Sequence, residues 1–363
     1  MAVLRGEKVD RVPDFEFGAW DQTIERWHKE GLPDKYTGSD AAMEQYFHLD
    51  NSEFGPDPWV NMGLEPGFQA RVLEDKGDRE IVLDWDGATC EQMKSEYGAS
   101  IPKYLRFAIE TREDWKKMRD EKLDWRNPAR IPKDLDALCK KTLTADYPTV
   151  LWTGSLYGWL RNWIGVENFS MMFIEEPEWV EEMMEHITVL ALKVLEKLAG
   201  KCKIDRMDWW EDMCYKQGSL LSPAMFKQYM VPRYKRITDF MRRECGCEFH
   251  RVDCDGNIHQ LVPLWLEAGI NVMFPLEAAH TDAFRISGEF GKKVGLHGFV
   301  DKIQLIHGKE TIDREMEKLR PLLKRGNYIP LVDHRVPPDV SFENYKYYRR
   351  KKCELIGKEY REG

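Results

Sequence analysis

Residues 247–277, CEFHRVDCDGNIHQLVPLWLEAGINVMFPLE, decide the fold. The strand-like run 247–252 ends in the polar group Asp253-Cys254-Asp255-Gly256-Asn257. A helical pattern follows and reaches Ala268-Gly269, where the glycine is a stop signal. A second apolar run, 271–276, then ends at Glu277. Strand, polar loop, helix and strand in that order make a βαβ unit, which requires a parallel sheet.

The same alternation extends in both directions. Upstream, the run 149–152 ends at Thr153-Gly154-Ser155 and precedes a helix over about 178–199. In that helix Val180, Met183, Met184, Ile187, Ala191, Val194, Leu195 and Leu198 form one apolar stripe. The run 204–210 ends at Glu211-Asp212, and Ser222-Pro223 then opens a helix as cap and first helical residue. Downstream, 293–296 ends at His297-Gly298, 328–332 ends at Asp333-His334, and a last helix covers about 341–358. A first strand at 12–17 brings the count close to eight. The expected fold is therefore α/β, a (β/α)8 TIM barrel forming a single domain over 1–363. Segment 36–130 breaks the rhythm as an N-terminal elaboration, with 79–87 read as strand and turn of a small β insertion. A doubly wound sheet is the alternative, but no GxGxxG follows a strand.

Composition narrows the function. With 54 basic and 63 acidic residues the net charge is −9, which argues against nucleic-acid or anionic-membrane binding. No run of 18 apolar residues predicts a membrane span, and the first residues, MAVLRGEKVDRVP, lack the apolar core of a secretory signal. Eight cysteines show no CxxC pair and no disulfide framework, so a reducing cytoplasmic setting is expected. Thirteen tryptophans serve a core or line a site for a flat ligand.

Active sites of parallel α/β folds lie at the carboxyl ends of the strands. Here those ends carry Glu211, Asp212, Asp253, Asp255, Asn257, Glu277, His297, Asp333 and His334. Clustered carboxylates need a cation or shared protons, and this mixture of oxygen and nitrogen donors suits a divalent metal. Each residue also has a plainer reading. Asp255-Gly256-Asn257 is a common turn, Asp333 can close a loop, and a lone buried histidine is usually structural. Glu277 is the hardest to dismiss, because a carboxylate ending an apolar run is costly unless paired. His250 and Cys254 share strand parity, a weak zinc signal. No P-loop, HExxH or GxSxG is present.

An ordered set of short motifs resembles the uroporphyrinogen decarboxylase superfamily. They are Leu4-Arg5-Gly6-Glu7 with Asp10-Arg11-Val12-Pro13, Leu221-Ser222-Pro223, Asp255-Gly256-Asn257-Ile258, Leu266-Glu267-Ala268-Gly269-Ile270, Phe274-Pro275-Leu276-Glu277 and the run from Asp333 through Tyr345. The resemblance implies a (β/α)8 barrel and a possible homodimer. One branch of the superfamily comprises zinc methyltransferases that work with corrinoid proteins. Its His-x-Cys and later Cys ligands match Asp253-Cys254-Asp255 and His334 here, so an oxygen and nitrogen set replaces nitrogen and sulfur. True decarboxylases carry arginine after the first strand. Here that place reads Asp14-Phe15-Glu16-Phe17-Gly18-Ala19-Trp20-Asp21, whose acids would repel a polycarboxylate.

The resemblance and the strand ends together imply a methyltransferase that moves a methyl group from an O-methyl donor, such as an aryl methyl ether, to a cob(I)alamin on a partner protein. Glu277, His334 and Asp255 are the expected metal ligands, with zinc the expected ion. Asp255, His297 and Asp253 are the expected catalytic groups. Trp20, Trp209, Trp210, Asn257 and Asp212 are expected around the small-molecule donor. The competing expectation is a metal-independent decarboxylase or lyase in which Asp255 and His334 act as acid and base. A non-catalytic corrinoid binder would not need so many costly carboxylates.

Overall fold

A computed structural model of the chain describes residues 1–50, 60–94, 102–152 and 154–363. Thr153, expected to close one strand, lies outside the described residues. The elaboration contains the antiparallel strands β1 (Arg71–Asp75), β2 (Arg79–Leu83), β3 (Thr89–Met93) and β4 (Lys103–Arg106), paired in sequence order. The barrel strands are β5 (Val150–Trp152) and β6 (Arg206–Trp210), followed by a short hairpin of β7 (Cys214–Tyr215) and β8 (Gly218–Ser219). Then come β9 (Phe249–Asp253), β10 (Val272–Leu276), β11 (Gly295–Val300) and β12 (Tyr328–Val332). β5, β6, β9, β10, β11 and β12 form one parallel sheet with neighbours in chain order. Helices cross over between them, including Pro177–Leu195, Val231–Cys245 and Lys309–Arg325. This is the (β/α)8 TIM-barrel architecture with its N-terminal elaboration.

Strand parity sorts the side chains. On β6, Met207 and Trp209 face the helices, and the Trp209 ring meets Tyr234 edge-on at 5.0 Å. Arg206 and Asp208 face the opposite way, into the barrel. There Asp208 accepts two hydrogen bonds from Arg206 (2.8 and 3.0 Å) and two from Arg251 (3.2 and 2.7 Å). The Arg251 guanidinium lies 4.3 Å from the Phe274 ring centre, and Phe274 packs on Phe17 at 4.6 Å.

Residues 12–17 run extended but are not a regular strand, and Pro13 has no N–H to give to a ladder. Contact with the sheet is a parallel bridge between Ala19 and Val336, just beyond β12. Phe15 and Phe17 pack with Phe274, Ile329 and Leu331. Asp14 and Glu16 point the other way, onto the terminal helix Phe342–Ile356. Arg349 donates to Asp14 (2.5 Å) and Glu16 (2.8 Å), Lys352 to Glu16 (2.7 Å), and Lys358 to Asp14 (2.8 Å). These acids are therefore neutralised behind the barrel. The expectation that they make the mouth acidic is corrected: alternation sends every second side chain of an extended segment to the far face.

Candidate active site at the strand ends

β6 hands over to Glu211 and Asp212, which have different roles. Glu211 is fully buried and accepts hydrogen bonds from Ser155 Oγ (2.7 Å) and the amides of Leu156, Tyr157 and Gly158 (2.9, 2.7 and 3.0 Å). Tyr234 also donates to it. It caps the start of helix Tyr157–Ile164, whose first amides have no partner within the helix. Asp212 turns the other way, with φ +39 in the left-handed region that a non-glycine residue rarely adopts. Its carboxylate accepts from Trp210 Nε1 (2.7 Å) and the Asp255 amide (3.3 Å), and Arg161 donates to its carbonyl (2.8 Å).

Asp212 meets Asp253 and Asp255 from the end of β9. One carboxylate oxygen from each lies within 4.8 Å of the others. Gly256 makes this loop possible, because at φ +80 a Cβ would stand 2.8 Å from the Tyr215 carbonyl of β7. Burial pushes the Asp253 carboxyl well above its ordinary range, and the charges of Asp212 and Asp255 push it further. Asp212 is raised by burial and then by Asp255. From β12, His334 Nε2 lies 3.4 Å from Asp255 Oδ2. Burial would lower this imidazole, but the Asp255 bond and charge outweigh it, so its pKa rises. Trp20 stacks on His334 at 5.9 Å. The site thus holds two carboxyls raised above their ordinary range beside a His334–Asp255 contact that favours the imidazolium form. Such a set can donate a proton to a leaving oxygen or hold a divalent cation.

The expected residues do not all converge. The expected metal set Glu277, His334 and Asp255 is not among the groups whose ligand atoms lie within 4.8 Å of one another in the described residues. Glu277 accepts from the Gly256 amide (2.8 Å) and from Lys302 Nζ (3.3 Å), an ammonium that opposes a metal there. Among the described residues the convergent group is Asp212, Asp253 and Asp255. His297 is not at a strand end. β11 continues through Phe299 and Val300, so the imidazole sits buried in mid-strand. Trp209 is in the core between β6 and its helix, not beside a donor. Asn257 serves the turn, its Oδ1 accepting from the His259 amide (3.3 Å), and lines a small polar pocket with Gln217 and Arg285. His250 and Cys254 belong to no convergent ligand group among the described residues. Asp333 is buried and accepts from the amides of Ala278 (2.9 Å) and Lys302 (3.1 Å).

Sequence reasoning missed Arg161, Lys302 and the Arg206–Asp208–Arg251 cluster. The cluster left one signal: Arg206 and Asp208 stand two apart in 206–210, whose other residues are apolar. Arg161 and Lys302 sit on helices and left none.

The uroporphyrinogen decarboxylase (URO-D) family profile matches residues 92–350. The chain belongs to that family. It is 27% identical over 199 residues to a uroporphyrinogen decarboxylase of Geobacter sp. (strain M21). That match covers 52% of this chain and 55% of the relative, about half the length of each. A methyltransferase from Methanosarcina mazei superposes with a TM-score of 0.59 at 15% identity, over 98% of this chain and 97% of its own. At that identity the likeness is one of fold. Among the described residues no helix is long and apolar enough to cross a membrane.

Proposed function

We propose that this URO-D family member is a methyltransferase that takes a methyl group from an O-methyl donor and passes it to a corrinoid carried by a partner protein. The observation that carries the reading is the trio Asp212, Asp253 and Asp255 at the barrel mouth, with raised carboxyl pKa values at Asp212 and Asp253. In demethylation the C–O bond breaks and the oxygen leaves with the electron pair. Asp253, whose protonated form is favoured by burial and by two neighbouring acids, gives its proton to the departing oxygen. Asp255 raises the His334 pKa, and in its protonated form the imidazole adds a positive charge beside the same oxygen. Cob(I)alamin, when bound, supplies the nucleophile that receives the methyl group. The tetrapyrrole polycarboxylate of a true decarboxylase suits an acid-lined mouth poorly. The overall likeness to a methyltransferase supports the same choice.

The trio also fits a divalent cation. Asp212, Asp253 and Asp255 would hold it through oxygen, and it would polarise the ether oxygen in place of the shared proton. Zinc remains the ion implied by the family resemblance, although an all-oxygen set is harder than its usual ligands. A decarboxylase or lyase is favoured by one observation, the Asp255–His334 contact, which is an acid–base pair.

The test is an anaerobic assay of methyl ethers with cob(I)alamin, read as the absorbance of methylcobalamin. Activity is expected in the wild type, with a loss of about 10²-fold or more in Asp253→Asn and Asp255→Asn. Carbon dioxide release without corrinoid, and no methyl transfer, would overturn the proposal. Metal content by mass spectrometry distinguishes cation from shared proton.

A further inference from the structure

A cavity of about 400 Å³ opens beside the mouth at the ends of β5 and β6. That volume lies in the range of small-molecule sites, roughly 300–1,000 Å³. Five of the thirteen tryptophans line it: Trp85, Trp152, Trp159, Trp163 and Trp210. Trp159 and Trp163 stack at 6.0 Å and 15° to form one wall. Gly154 lets that wall close up, since a Cβ there would lie 1.7 Å from Trp159 Cζ2. The small sheet supplies the opposite side. Its turn between β2 and β3 carries Trp85 and Asp86, and Phe68 packs nearby.

Among the described residues Asp86 is the one carboxylate of the lining. It is 6% exposed and accepts hydrogen bonds from Asn162 Nδ2 (3.0 Å) and Trp163 Nε1 (3.2 Å), both neutral donors. Among the described residues no lysine or arginine pairs with it. Arg161, the basic side chain nearest in sequence to these partners, is engaged by Asp212 and lies over the outer Trp210 ring. Burial raises the Asp86 carboxyl to about 6, so the charge is costly where it stands.

Indole faces are negative and attract cations, most strongly among the aromatic side chains. A neutral aromatic ring would pack on the same indoles with no use for a buried carboxylate. A primary ammonium brings three N–H donors that seek acceptors, whereas the described lining is chiefly indole. A methylated ammonium presents diffuse positive charge on C–H surfaces, which matches indole faces with one counter-charge. We propose that this cavity binds a methylated ammonium group, with the tryptophans as its cage and Asp86 as its counter-ion. The assignment concerns binding alone and stands or falls separately from methyl transfer at the acid trio.

The experiment is isothermal titration of the full chain with choline and with 3,3-dimethyl-1-butanol, its uncharged isostere. Choline is expected to bind at least about tenfold more tightly than the isostere. Asp86→Asn is expected to abolish that preference. Trp152→Leu, on the exposed rim and away from the Asp86 hydrogen bonds, is expected to weaken choline about tenfold while circular dichroism stays unchanged. Equal binding of the two ligands, no choline binding to the wild type, or choline binding unaffected by Trp152→Leu would each overturn the proposal.

Discussion

Two acid clusters of this barrel use the same residue types to opposite ends. Behind the barrel, Asp14 and Glu16 are buried among Arg349, Lys352 and Lys358. Burial alone would raise Asp14, but Arg349 and Lys352 outweigh it and hold the carboxyl far below its ordinary range. At the mouth, Asp212, Asp253 and Asp255 face one another, with Arg161, Arg251 and His334 among the nearby basic groups. Burial and mutual repulsion outweigh these groups, and the carboxyls of Asp212 and Asp253 are raised. A balanced cluster ties two elements together; an unbalanced one stores a demand for a proton or cation. The sign of the pKa displacement separates structural acid from chemical acid where residue identity does not.

The sharpest way to break the contrast is Arg349→Met. It leaves Asp14 and Glu16 partly unpaired in a buried setting. A loss of about 3–5 kcal/mol is expected in urea unfolding. If stability barely changes, the outer cluster is not the structural tie described here.

The pH dependence should have opposite signs on the two sides. Asp14 is lowered, so its contribution is present above the unfolded-state carboxylate pKa and is lost as pH falls through the folded value. Asp86, beside the mouth, is raised from 3.8 to about 6, so its contribution is present below 3.8 and is lost as pH rises to about 6. The difference between wild type and Asp86→Asn, followed by urea midpoints, should slope over that window by roughly 3 kcal/mol at most. A flat difference would show that Asp86 is not raised.

Glu211 tests a third kind of acid, buried yet satisfied by neutral donors. Glu211→Gln turns an amide N–H₂ towards backbone N–H groups, and a loss of about 1–3 kcal/mol is expected. Thermal unfolding measures it, and an unchanged midpoint would mean that the cap is dispensable. The smallest effect is expected at Trp20, which is 40% exposed and stacked on His334. Trp20→Leu should change stability by no more than about 0.5 kcal/mol. It should lower the His334 pKa only slightly by NMR titration, because Asp255 and not the indole holds that proton.

Much of this was legible in the chain. The β12 run 328–332 matches the strand Tyr328–Val332, and Ser222 and Ser341 cap their helices as residue type implies. The strand ends brought Asp212, Asp253, Asp255 and His334 into view, because a polar residue closing an apolar run is visible in one dimension. Failures came where that signal misleads. His297 looks like a strand terminus, yet the ladder from Leu296–Tyr328 to Val300–Val332 carries the strand past it. Trp209 and Trp210 are adjacent and equally aromatic, but parity gives one to the core and the other to the cavity.

The sequence by itself determined the βαβ order, the acid-rich strand ends and the family motifs, because hydrophobic period and local capping are properties of neighbouring residues. Only the tertiary structure decided which acids meet cations. Asp14 and Arg349 are 335 residues apart and touch, while Glu211 and Asp212 are adjacent and face different partners. Charge compensation depends on distance in space and on local burial, and neither is written in the order of residues along the chain.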